Sequence, residues 1–129
     1  MPTDRNKLQL HDPDLHALVY KTILSRSREG FVWNARSARN CLRDPSLQGL
    51  TPSEIRNLSI EHVRQNGVQS LSQVVETRPE WNPPHVYYYK IIIPHELFYP
   101  HGLFVELRLE DDDDEFPAVR IVNAHPQLK

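Results

Sequence analysis

The chain has 129 residues, 39% hydrophobic and 25% charged, which argues for one domain with a single modest core rather than two. No apolar run nears the ~18 residues of a membrane helix, "MPTDRNKLQLHD" lacks the basic-then-apolar layout of a secretory signal, and a lone Cys41 excludes an internal disulfide or a thiolate zinc cluster; the expectation is a cytoplasmic chain with no membrane partner. Net charge is −2, but six of the 17 acids fall at 110–115, leaving 11 against 15 Lys and Arg, so a mildly basic body that tolerates a polyanion carries one very acidic loop.

The first residues are polar, and 1–12 read as a flexible N-terminus before a domain over 13–127. Asp12 as N-cap and Pro13 at the first helical position open a helix over 13–28, with Leu15, Leu18, Val19 and Ile23 as its apolar stripe and Gly30 beyond its end. Asn34 caps a second short helix over 35–43 that Asp44-Pro45 stops, with Cys41 on its buried edge. "TPSE" is a capping box on Thr51 and Glu54, so a third helix starts at Pro52 and runs to "NG" at 66–67.

Beyond Gly67 the period changes from about 3.6 to 2. Strands are predicted at 71–78, 86–93, 103–110 and 118–125, joined by connections of 7 to 9 residues, too short for crossover helices. The expected fold class is α+β, with N-terminal helices packed on one face of a four-stranded antiparallel meander. Alternation sends Leu103, Val105, Leu107 and Leu109 inward with Val119, Ile121, Tyr87, Tyr89, Ile91, Ile93, Leu71 and Val75. Outward go Glu76, Arg78, Tyr88, Lys90, Ile92, Phe104, Glu106, Arg108 and Arg120.

Two readings fit that outward set. One face of an antiparallel sheet is normally wet and charged, and cross-strand ion pairs alone account for it. The same groups also meet the needs of metal-free RNA cleavage: a base for the 2′-hydroxyl, cations for the phosphorane, an acid for the leaving oxygen and rings for base stacking. On that reading Glu76, Lys90, Arg108, Arg120 and His125 are the catalytic candidates, and Arg78, Tyr88 and Phe104 hold the nucleic acid. His125 has the best-placed unperturbed pKa of the set, but strict alternation puts it on the leucine side unless the strand bulges or ends before Pro126.

"HDPDLH" and "HELFYPH" lack metal-ligand spacing, "EDDDDE" lacks the Gly and ligand pattern of a calcium loop and reads as a solvated hairpin tip, and no nucleotide, hydride-transfer, lipase or zinc-protease motif is present, so no metal or cofactor is expected. Trp81 in "PEWNPPHVYYY" reads as a cover for one end of the core. The alternative function is a non-catalytic accessory or inhibitor module that binds protein through the acidic hairpin and this Trp/Tyr-rich surface.

Helices followed by a meander with cations on its open face resemble the barnase, colicin-nuclease and RelE-like RNase superfamily, in particular the RelE, BrnT and MqsR toxin branches. "NARSARNCLRDPSLQGLTPSEIRNL" is similar to the "S-x-H-A-x-x-R-M-x-x-R-G-I-S/T-x-x-E-V" opening of related domains, and "VRIVNAHPQ" to their closing "R-I-I-T-A-Y" strand, a likeness spanning 34–127 at most. It implies a metal-independent endoribonuclease of toxin type with RNA as substrate and a cognate antitoxin as partner. It places the final-strand cation at Arg120, the terminal-strand His or Tyr at His125, the mid-sheet cations at Lys90 and Arg108 and a carboxylate at Glu76. The opening motif's His is absent from Arg36-Ser37-Ala38-Arg39, and the chain is not strongly basic as RelE-like toxins commonly are.

Overall fold

Capping chemistry sets the helices. In the computed structural model, which describes residues 11–25, 27, 29–113 and 115–128, α1 spans Pro13–Ser25, α2 Ala35–Arg43 and α3 Pro52–Asn66. Asp12 Oδ1 accepts from the Asp14 and Leu15 amides, Asn34 Oδ1 from Ser37, and Thr51 and Glu54 close the reciprocal capping box, so orphan donors at each helix start are met by side chains. The first helix ends at Ser25, and residues 26 and 28 of its expected end lie outside the described residues. Residues 1–10 lie outside the described residues, whereas Asp12, assigned to the flexible segment, is tied to Gln73 by bonds of 2.7 and 3.0 Å.

The sheet corrects the four-stranded antiparallel expectation. Five strands, β1 (Phe31–Trp33), β2 (Ser72–Val75), β3 (Tyr87–Ile93), β4 (Leu103–Asp111) and β5 (Ala118–Pro126), lie in the order β1-β5-β4-β3-β2. The last four form the predicted antiparallel meander, and β1 adds a parallel partner to β5. A three-residue strand is too short for a period to register, so "FVW" left no readable trace. Tertiary contacts hold it instead: Phe31 is fully buried, Arg56 Nε donates to its carbonyl at 2.6 Å, and the Trp33 indole donates to the Pro52 carbonyl at 2.8 Å.

The helices cover the inward face as alternation requires. Leu103, Val105, Leu107, Val119, Ile121, Ile91 and Tyr89 are essentially inaccessible, with Val19, Ile23, Ile55 and Val63 packed onto them from α1 and α3. Cys41 is buried beside them as expected, and burial, with Asp44 nearby, pushes its thiol pKa up.

The turn into β4 depends on Gly102, at φ +90° with its amide donating to Phe98 and its carbonyl accepting from Gln127. A Cβ there meets the Ile93 carbonyl oxygen at 2.6 Å, whereas Gly49, at φ +87°, has nothing within 4 Å. Gly102→Ala is therefore expected to lower stability by more than about 1 kcal/mol and Gly49→Ala by distinctly less; the urea unfolding midpoints of the two variants check this.

Candidate functional site

The face away from the helices is organised in cross-strand rows. One row places Lys90 opposite Glu106 and Glu106 opposite Asn123; the next places Ile92 opposite Phe104 and Phe104 opposite His125. The register shifts just beyond the first of these rows, toward Arg108, because Glu106 faces Asn123 while Leu107 faces Ile121, leaving Val122 as an extra residue in β5. That bulge reverses the parity of the strand end. Ala124 turns into the core and His125 turns out, its ring stacked on Phe104 at 4.6 Å and 18°.

A carbonyl oxygen only accepts, so the 2.9 Å contact from His125 Nδ1 to the Pro126 oxygen fixes the proton on Nδ1. In the neutral ring Nε2 is then the basic nitrogen, and it has no partner among the described residues.

A second constellation lies where β2 runs out. Glu76 follows β2, and its carboxylate accepts from the Arg78 amide at 2.9 Å, from Arg78 Nε at 2.9 Å and Nη2 at 3.0 Å, and from Arg108 Nη2. Glu106 Oε2 accepts from Arg78 Nη2 and Arg108 Nη2, both at 2.8 Å. Two guanidiniums and two carboxylates thus form one charge-balanced network. The segment 78–86 folds over it, with Trp81 and Asn82 amides bonded to the Arg78 carbonyl and the Asn82 side chain to the Glu76 carbonyl. The Trp81 ring lies 4.0 Å from Arg108 Cζ, and Tyr88 lies 5.4 Å from Arg108 and 5.0 Å from Arg78.

This placement corrects the expected solvent-facing roles of two candidates. Arg108 is 0% exposed and Glu76 2%. Burial by itself raises the Glu76 pKa, but the hydrogen bonds from the Arg78 side chain and backbone and from Arg108, with the Arg108 charge, outweigh it and bring it down to about 2. A carboxylate that holds its charge so firmly is a poor proton acceptor at neutral pH. Arg78 is shifted up, first by its bond to Glu76, and its side chain keeps 42% exposure. Arg108 Nε and Nη1 are the only buried side-chain nitrogens without a partner among the described residues, an arrangement costing about 1–3 kcal/mol per unmet group.

Arg120 is drawn elsewhere. Its Nη1 donates to the carbonyls of Glu29, Val119 and Gly30 at 3.0, 3.0 and 3.4 Å, bracing the entry to β1 beside a cavity of about 460 Å³ lined by Leu18, Lys21 and Phe116. Lys90 is half-buried and has no ion pair among the described residues. The candidates therefore separate into Glu76, Arg78, Tyr88 and Arg108 in the network, Lys90, Phe104 and His125 along the adjoining rows, and Arg120 at the β1 edge.

Sequence reasoning left Glu106, Asn123 and Trp81 out of the candidate set. Glu106 was legible as outward-facing, but nothing showed that it joins both guanidiniums. Asn123 depends on the bulge, and Trp81, expected over the core, packs on the opposite face of the sheet.

His95 Nδ1 accepts from the Leu97 amide and His16 Nε2 donates to the Leu71 carbonyl, structural roles for members of both His-rich stretches. No group of three or more His, Cys, Asp or Glu gathers as a metal site among the described residues, and no described helix is long and apolar enough to cross a membrane. No protein-family model, curated protein or solved structure matches the chain.

The depressed Glu76 pKa gives a signed pH dependence. A carboxyl lowered in the folded state contributes stability in full above its unfolded value of about 4.3 and loses it as pH falls toward about 2. The contribution is on the order of 3 kcal/mol. Urea midpoints are expected to drop steeply between pH 4.5 and 2, and Glu76→Gln is expected to lower the midpoint at pH 7 and to flatten that drop.

Proposed function

We propose that the chain is a metal-independent endoribonuclease of toxin type, acting on single-stranded RNA along the rows that carry His125 and Lys90. The observation that supports this most is the Val122 bulge, which puts an imidazole with Nδ1 protonated, and Nε2 without a partner among the described residues, on the polar face. Strand spacing and rise put the His125 and Lys90 Cα atoms roughly 12 Å apart, on either side of β4, so their side chains reach one phosphodiester from opposite sides.

In this scheme His125 Nε2 takes the proton of the ribose 2′-hydroxyl, the 2′-oxygen bonds to the adjacent phosphorus, and the bond from phosphorus to the 5′-oxygen breaks. The 5′-oxygen takes a proton from the Lys90 ammonium, leaving a 2′,3′-cyclic phosphate and a 5′-hydroxyl. Arg78, half-exposed above Glu106, adds positive charge for the neighbouring part of the RNA backbone. Phe104 orients the imidazole by stacking, and Arg108 holds the scaffold. A toxin of this type requires a cognate inhibitor protein.

Incubation of the purified chain with mixed single-stranded RNA in EDTA tests the proposal. Cleavage to cyclic-phosphate ends is expected, with His125→Ala slower by about 100-fold or more and Lys90→Ala by about tenfold or more. RNA that stays intact, or undiminished cleavage by His125→Ala, defeats it.

A second reading, a non-catalytic module that binds a protein partner, draws support from the closed, internally neutral Glu76–Arg78–Glu106–Arg108 network and from Phe116, 77% exposed at the end of the acidic turn. Trp81 contributes little to such a surface, because it faces Arg108. Intact RNA together with a stable complex that Phe116→Ser disrupts is the result this reading expects.

A further inference from the structure

Arg108 presents a contradiction in its chemistry. Its Nη2 serves two carboxylates, while Nε and Nη1, fully buried, have no hydrogen-bond acceptor among the described residues. Above them lies the Trp81 indole, whose π face attracts the cation but accepts less strongly than an anionic oxygen.

Among the described residues, the segment carrying that indole is held to the rest of the fold by few polar bonds. The Asn82 side chain reaches the Glu76 carbonyl at 3.1 Å, the Glu76 amide donates to Val86 at 2.7 Å, and His85 Nε2 stands 3.7 Å from Glu110. The Trp81 and Asn82 amides bond to the carbonyl of Arg78, at the hinge, and the His85 amide to that of Trp81, while Pro79, Glu80, Asn82, Pro83 and Pro84 are exposed.

We propose that Trp81 is a lid on a phosphate site: the segment 79–86 swings out, and a backbone phosphate of single-stranded RNA docks on Arg108 and Arg78, accepting from the donors the indole leaves unmet. The ligand class rests on the ribonuclease reading. Charge supports a singly negative group, because the network is neutral by itself and Lys90, with no ion pair among the described residues, stands opposite Glu106 on β3. Arg108 lies four residues from Phe104 along β4, roughly 13 Å from the row of His125. The site therefore holds a flanking phosphate, not the one being cleaved, and sets how the strand lies across the face.

The test uses a Trp33→Phe background, in which Trp81 is the only tryptophan, and a 2′-O-methyl oligoribonucleotide that binds but has no 2′-hydroxyl to react. Titration is expected to give a saturable change in Trp81 emission. Trp81→Ala is expected to tighten binding severalfold, because the cost of opening is removed, and Arg108→Lys to weaken it about tenfold. A Trp81 emission unmoved at saturation, or a Trp81→Ala affinity unchanged or weaker, overturns the lid. Should Arg108→Lys fail to fold, those two measurements decide alone. RNA cleavage with a static Trp81 overturns this inference and leaves the ribonuclease standing; oligonucleotide binding with the expected Trp81 response but no cleavage does the reverse; absence of any binding removes both.

Discussion

A guanidinium with no solvent exposure has to be neutralised where it sits, and much of the polar side of this sheet follows from that demand at Arg108. Glu76 and Glu106 supply the negative charge, Arg78 bridges both carboxylates, and the chain after Glu76 turns so that Trp81 covers the cation. Such a buried network adds little net stability over an apolar replacement, yet losing one member strands a charge. Its effect is on register: a one-residue slip of β4 carries Glu106 and Arg108 into the aliphatic core, so the alternative pairing is strongly disfavoured.

The polar face is divided as a consequence. Toward the end of β2, charge is locked in mutual contacts and shielded by an indole. Past the Val122 bulge the face instead carries the imidazole of His125, the ammonium of Lys90 and the exposed amide of Asn123. One extra backbone residue in β5 turns Asn123 and His125 onto this face, as bulges commonly re-aim side chains.

Local chemistry was readable from the residues. The caps at Asn34 and Thr51 report helix starts because each side chain bonds a donor only a few positions away, and the alternation of 103–109 reports one buried face. What could not be read depends on distant partners. Nothing near Phe31 indicates β5, nothing in "RIVNAH" distinguishes a bulge at Val122 from a regular strand, and the link between Trp81 and Arg108 spans a turn, a strand and a loop. Arg120 illustrates the same limit, since its outward parity was legible but its capture by the Glu29 and Gly30 carbonyls was not.

The parallel pairing of β1 with β5 joins a segment made early to the one made last in the sheet. During synthesis on the ribosome, Phe31–Trp33 waits without a strand partner until Ala118–Pro126 has emerged, and the same late segment carries His125. The imidazole and the closure of the sheet thus arrive together, so a nascent chain halted before β5 has neither a finished sheet nor the imidazole of its polar face.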